Sequence, residues 1–338
     1  MSTSVADELE TATPPRAGGA EKNIAIFTAK LVVTGACFWY VFRQVDPIET
    51  LSGIARLDVR WAAFATFIVM LQIPLVALRW RNVLQALAAC DVRMTRAAMI
   101  AITAIGLFFA QVLPSVASEG VRAWLLVRLG GTWRYAVTSL VIDRALWGGE
   151  LIALGFGVLL LPLGLTALGG YREAVLVIYG ALLAAGLIGL LLAPLIVPYL
   201  ARWRYFRWTA SLVGDAERVL LGPRCPVIVG LGCLIHALTI LVVWSVARAQ
   251  GLVLPLPDAA ALFTVMVGVL LVPISVSGWG LRELATVSLL GNHGVAPETA
   301  LLFSVCFGLV NAVGSLPGAL AWLLYSTSPA RRAVERGE

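Results

Sequence analysis

The sequence predicts an all-α polytopic membrane protein with about six full spans and two re-entrant helical hairpins, the hairpins forming an inverted repeat. Three observations predict it. Of 338 residues, 60% are hydrophobic and 13% are charged, against roughly 25% charged in an ordinary soluble domain. Eight apolar runs recur along the chain, most of them near the roughly 20 residues that a bilayer core requires. Two of these runs break at a Pro and a Ser, and each break is followed by a Gly and an Arg. The composition excludes a soluble enzyme, a disordered chain and a nucleic-acid-binding module. The 19 acidic and 25 basic residues are too few to cover a soluble fold of this size. The net charge of +6 is read as basic loops facing the cytoplasm and anionic lipid, with no nucleic-acid partner.

Residues 1–23 are polar and contain Pro14, Pro15, Gly18 and Gly19, so they are expected to be a disordered cytoplasmic tail. The first apolar run, Ile24 to Phe42, is longer than a signal-peptide core. It ends Trp39-Tyr40-Val41-Phe42, without a small-residue cleavage site, and reads as a retained span. Lys30 within it is long enough to snorkel. The later runs are Trp61–Leu78, Ala97–Leu113, Ala136–Leu161, Ala174–Leu200, Pro226–Ala247, Ala259–Val276 and Pro297–Tyr325. Trp and Tyr recur at their ends, as in interfacial belts. Arg79 and Arg81, flanking Trp80, read as an exposed interfacial anchor. Ala201–Arg224 reads as an amphipathic surface segment. The membrane domain is thus 24–325, followed by a cytoplasmic tail, 326–338.

The two interrupted runs carry the hairpins. One reads Leu113-Pro114-Ser115-Val116-Ala117-Ser118-Glu119-Gly120-Val121-Arg122; the other runs from Pro273 through Ser275, Gly278, Trp279 and Gly280 to Arg282-Glu283. Proline lacks an N–H donor and clashes with the preceding turn, so each helix should stop there. The apolar stretch after each break is too short to span.

Charge sidedness supports the hairpins. If all eight runs cross, the loops carry 11 Arg and Lys on one side and 12 on the other. If the two motif segments return to their starting sides, one side carries 16 and the other 5. Both termini are then cytoplasmic, in a multi-pass protein of a bacterial-type inner membrane. The hairpins enter from opposite sides and meet near the midplane.

Charges deep in a bilayer are costly and usually face a bundle interior or an aqueous cavity. Glu119 and Arg122 are three apart and can pair on one helical face. Asp143 and Glu150 are seven apart on one face, with Arg144 displaced by about 100° from Asp143. Arg282 and Glu283 follow the second break. On one reading, Arg122 and Arg282, with Ser115 and Ser275, bind a headgroup phosphate near new helix starts. Glu119, Asp143, Arg144, Glu150 and Glu283 then balance charge in the cavity, or an acid among them carries a coupling proton. On the other reading, these groups are internal ion pairs that hold the hairpins. His236 reads as a satisfied interior side chain and Asn311 as helix–helix glue. Five dispersed cysteines and two isolated histidines indicate neither a metal site nor a disulfide framework. There is no P-loop, H-E-x-x-H or G-x-S-x-G, so no cofactor and no catalytic residues are expected.

The Leu113-Pro-Ser…Glu119-Gly-Val-Arg122 segment, the Ser139-Leu-Val-Ile-Asp-Arg144 stretch with Gly148-Gly149, and Pro273-Ile-Ser-Val-Ser-Gly-Trp-Gly-Leu-Arg-Glu283 resemble the flippase-like transmembrane region of lysylphosphatidylglycerol synthases. The resemblance runs over roughly residues 24–325, and the last block is its most specific part. Two departures stand out: Ser118-Glu119-Gly120 where many members have Gly-Gly-Asp, and the bulky Trp279 where Gly-Gly is common. The family's soluble aminoacyl-transferase domain has no counterpart after the last helix, so lysine transfer by this chain is not expected. The resemblance implies lipid translocation between leaflets, with membrane lipids as partners. The lipid expected is an anionic phospholipid or a polyprenyl-phosphate-linked lipid. The alternative is a non-catalytic subunit that presents lipid to a separate glycosyl- or aminoacyl-transferase. A lipid-modifying enzyme using Asp143 and Glu150 as acid and base ranks third, because no nucleophile or metal set accompanies them.

Overall fold

A computed structural model describes residues 53, 56–87, 95–111, 113, 115–160, 170–202, 207–271 and 280–327. Among them are eleven α-helices and no strand. The helix α1 (Val59–Ala86) starts at Asp58, whose carboxylate accepts from the Arg60 N–H at 2.9 Å. It is followed by α2 (Arg96–Phe109), capped by the Thr95 hydroxyl on the Ala98 N–H, and α3 (Ser115–Arg128). Then come α4 (Trp133–Leu160), α5 (Arg172–Ala201) and α6 (Arg207–Leu220). The rest comprises α7 (Cys225–Ala249), α8 (Leu256–Gly268) with a 3-10 turn at Val269–Leu271, α9 (Leu281–Gly291), α10 (Pro297–Gly314) and α11 (Leu316–Thr327).

The order long, short, short, long occurs twice: α1 to α4, and α7 to α10. The two leading long helices, α1 and α7, pack against each other more extensively than any other described pair. Each short pair has its own core. Met99, Ile102 and Ile105 of α2 and Ala123, Leu125 and Leu126 of α3 pack with Trp80 and Leu84 of α1. Phe263 and Met266 of α8 and Leu289 and Leu290 of α9 pack with Phe303 and Val310 of α10.

By length and composition, four described segments can cross a bilayer: Val59–Ala86, Arg172–Ala193, Cys225–Ala249 and Pro297–Tyr325. Helix α4 has 28 residues, but Asp143, Arg144 and Glu150 lie along its middle. The run Ile24–Phe42 and Lys30 lie outside the described residues, as do both expected tails apart from Ser326 and Thr327. Helices α2 and α8, with 14 and 13 residues, are about 21 and 20 Å long and too short to cross a hydrocarbon core of about 30 Å. Most of the large apolar side chains of α5, among them Leu187, Leu191 and Leu195, are exposed, as on a helix bathed in hydrocarbon. In the segment expected to be amphipathic, α6 buries Ala210 and Val219 and exposes Trp208.

Candidate functional site

Helix α1 runs on past the expected end of its span, and this changes the reading of Arg79. Instead of anchoring at an exposed interface, its side chain is only 2% exposed, and Trp80 is fully buried. Hydrophobic burial of Trp80, whose indole N–H donates to Ser139 Oγ at 3.1 Å, fixes the rotation of this stretch. Arg79 then points at α4. Its Nη1 lies 3.1 Å from Asp143 Oδ1, its Nη2 donates to the Asp143 carbonyl at 3.3 Å, and Nη2 lies 3.5 Å from Glu150 Oε2. One guanidinium therefore serves two buried carboxylates. His236 of α7 completes this side, with Nε2 3.7 Å from Glu150 Oε2 and 3.3 Å from the Trp147 carbonyl. Helix α7 comes so close that a Cβ at Gly232 would collide with the Glu150 carboxylate.

A second cluster faces it. The Glu119 carboxylate accepts from Arg122 Nη1 at 2.9 Å and from Arg144 Nε at 2.8 Å, so the expected Glu119–Arg122 pair is present and Arg144 joins it. The Arg122 guanidinium lies 4.3 Å from the centre of the Trp80 ring, within cation–π range. Gly106 of α2 leaves room for the Arg122 stem, which a Cβ would strike. Arg122 Nε and Nη2 are buried and make no hydrogen bond among the described residues. Buried donors usually have partners, so this guanidinium has bonding capacity unused by the described residues.

Arg122 opens onto a cavity of about 330 Å³, and Arg79, Asp143 and Arg144 line it too. Leu107 and Gln111 near the end of α2 share its wall with Phe263 and Val267 near the end of α8. The two short helices thus reach the same cavity. Thr239 and Asn311 add polar groups, although the Asn311 amide N–H already donates to the Phe307 carbonyl of its own helix.

The second break is built differently. Gly280 has φ 85°, a left-handed conformation that favours glycine. Its N–H donates to Glu283 Oε2 at 2.7 Å, so the carboxylate closes the first turn of α9. Glu283 Oε1 accepts from Arg282 Nη2 at 2.7 Å and from Ser304 Oγ at 3.1 Å. Glu283 is fully buried and both its oxygens are bonded. Arg282 is engaged by Glu283 and Ser304 and lies 5.9 Å from the Phe307 ring. The described cavity wall includes Phe307 but not Arg282. Ser275 and Trp279 lie outside the described residues, as does the side chain of Ser115.

Sequence reasoning missed Arg79. The signal is its spacing: Gln72 and Arg79 are seven apart on α1, as Asp143 and Glu150 are on α4, and both α1 residues line the cavity. Among the described residues, no group of three or more His, Cys, Asp or Glu side chains is placed to hold a metal ion.

Comparison with protein families matches residues 27–318 to the family described as the lysylphosphatidylglycerol synthase transmembrane region. No curated protein matches the chain.

Proposed function

The chain belongs to the lysylphosphatidylglycerol synthase transmembrane family, and from that premise we propose that this lipid-related membrane protein moves an anionic lipid between leaflets. The observation that carries the proposal is Arg122: a buried cation with two nitrogens that make no hydrogen bond to any described residue, on a cavity reached by both short helix pairs. Guanidinium suits a phosphate because its N–H groups match the phosphate oxygens two at a time. In this reading α2–α3 and α8–α9 are re-entrant hairpins entering from opposite sides. The headgroup phosphate sits at Arg122 while the acyl chains stay in hydrocarbon. Arg144 and Glu119 orient Arg122, and Arg282 with Glu283 sets the start of α9. An anionic phospholipid and a polyprenyl-phosphate-linked lipid both offer the required phosphate.

Reconstitution in vesicles with a fluorescent phosphatidylglycerol tests this. Wild-type protein should carry the labelled lipid between leaflets. Arg122→Ala removes a charge-assisted bond worth about 1.5–3 kcal/mol, so transfer should fall at least about tenfold. An unchanged rate, in protein of unchanged melting temperature, removes Arg122 from the site.

A further inference from the structure

We propose that the cavity takes up a proton together with the anionic headgroup, and that the Glu150 carboxylate, behind the cavity wall, receives it. The proposal rests on the reading of Arg122 as the anion site and adds a second binding event to it.

The charges divide into two halves. On one side Glu119 lies between Arg122 and Arg144, a formal charge of +1. On the other, Arg79 is shared by Asp143 and Glu150, a formal charge of −1. His236 adds no charge as a neutral ring. Its Nε2 faces the Trp147 carbonyl, where only donation is useful, and this assigns the tautomer. Nδ1 is then the proton-free nitrogen, and it makes no hydrogen bond among the described residues. The two halves neutralise each other across the cavity.

An anionic phosphate at Arg122 cancels the +1 half. The −1 half is left without its counter-charge where little water screens it, and such an imbalance favours protonation of a carboxylate. One proton restores neutrality. Between the two acids, the geometry selects Glu150. Asp143 holds Arg79 at 3.1 Å and gives it a carbonyl as well. Glu150 is farther from Arg79, at 3.5 Å, and among the described residues both of its buried oxygens lack a hydrogen bond, whereas at Asp143 only Oδ1 is buried without one. A proton on Glu150 would also supply a donor where none now exists.

Other titratable groups near α4 are otherwise engaged or lie at helix ends. On α5, the Tyr179 hydroxyl donates to the Thr264 carbonyl, and Arg172 and Glu173 sit in its first turn. On α6, Asp215 pairs with Arg218 at 3.3 Å. On α8, Asp258 lies in the first turn. None of these forms an ion pair with Glu150.

By linkage, a ligand whose binding takes up a proton binds more tightly as pH falls, by up to about tenfold per unit for one proton. The test is calorimetric titration of the purified full chain with short-chain phosphatidylglycerol, in two buffers of different ionisation heat at one pH. The expected result is a buffer-dependent heat equal to about one proton taken up per lipid bound. Glu150→Gln keeps the shape and removes the acid; it should reduce the uptake to less than about half a proton and flatten the pH dependence. Saturable binding whose heat does not depend on buffer overturns the proton site while leaving the anion site standing. Full uptake in Glu150→Gln overturns Glu150 as the receiver. Wild-type binding that persists in Arg122→Ala overturns the anion site, and the coupling with it. Inorganic phosphate should bind at least about tenfold more weakly than the lipid. Equal affinity overturns a lipid headgroup as the source of the anion.

Discussion

At the scale of single residues, Arg79 is the side chain on which the polar interior turns. It is the one cation held directly against both Asp143 and Glu150 among the described residues. Removing one partner of a buried ion pair costs about 3–5 kcal/mol, because the charge left behind has neither water nor a counter-ion. Arg79→Ala leaves two such carboxylates, so thermal unfolding in detergent should show a loss of at least that size. Asp143→Asn, which removes a charge and keeps the shape, should cost less. A melting temperature for Arg79→Ala equal to that of wild type would mean that water reaches the pair. Local sequence made Glu119 and Arg122 legible, because residues three apart on a helix share a face. It misread Arg79, because a Trp flanked by two Arg at the end of an apolar run is also the pattern of an interfacial anchor.

At the scale of elements, the breaks were legible and their roles were not. Pro114 and Pro273 mark the ends of apolar runs, and new helices begin at Ser115 and Leu281. The Gly280-Leu-Arg-Glu283 stretch reads from sequence as a place for anions. In the structure its carboxylate bonds the Gly280 N–H and the neighbouring guanidinium, so the stretch is first a helix start. That dual use escapes sequence reading because a capping glutamate and a cavity glutamate are the same residue type at the same spacing. Close packing between elements brings a further expectation. Gly318 of α11 lies against α2 so tightly that a Cβ would run into the Ala104 carbonyl, which is backbone and cannot swing aside. Gly318→Ala should therefore separate α2 from α11 and destabilise the protein by about 1–3 kcal/mol, despite alanine's better helix propensity. Unfolding of the purified variant measures it; a gain in stability would show that the two helices part without cost.

At the scale of the whole molecule, the charge asymmetry that suggested the hairpins survives the correction of Arg79. In the hairpin topology, moving this residue from the rim to the interior would leave 15 basic residues on one side against 5 on the other. If α5 crosses the bilayer, as its length and composition allow, its two ends lie on opposite sides. Single cysteines at the exposed positions Tyr171 and Leu221, in a chain without its native cysteines, should then react with an impermeant maleimide from opposite faces of intact cells and inverted vesicles. Labelling of both from the same face would overturn the hairpin topology. The helical membrane class, the breaks after Pro114 and before Leu281, and the embedded charges other than Arg79 are all readable from the chain alone. Hydropathy and proline geometry act over one or two turns, so a local stretch carries them completely. Tertiary structure alone decided which charges meet. Arg79 and Asp143 lie 64 positions apart, and Gln72 reaches Thr239 across 167. Such partners are chosen by how long helices rotate and pack against one another, and that choice turned Arg79 inward and left Arg122 with nitrogens to offer.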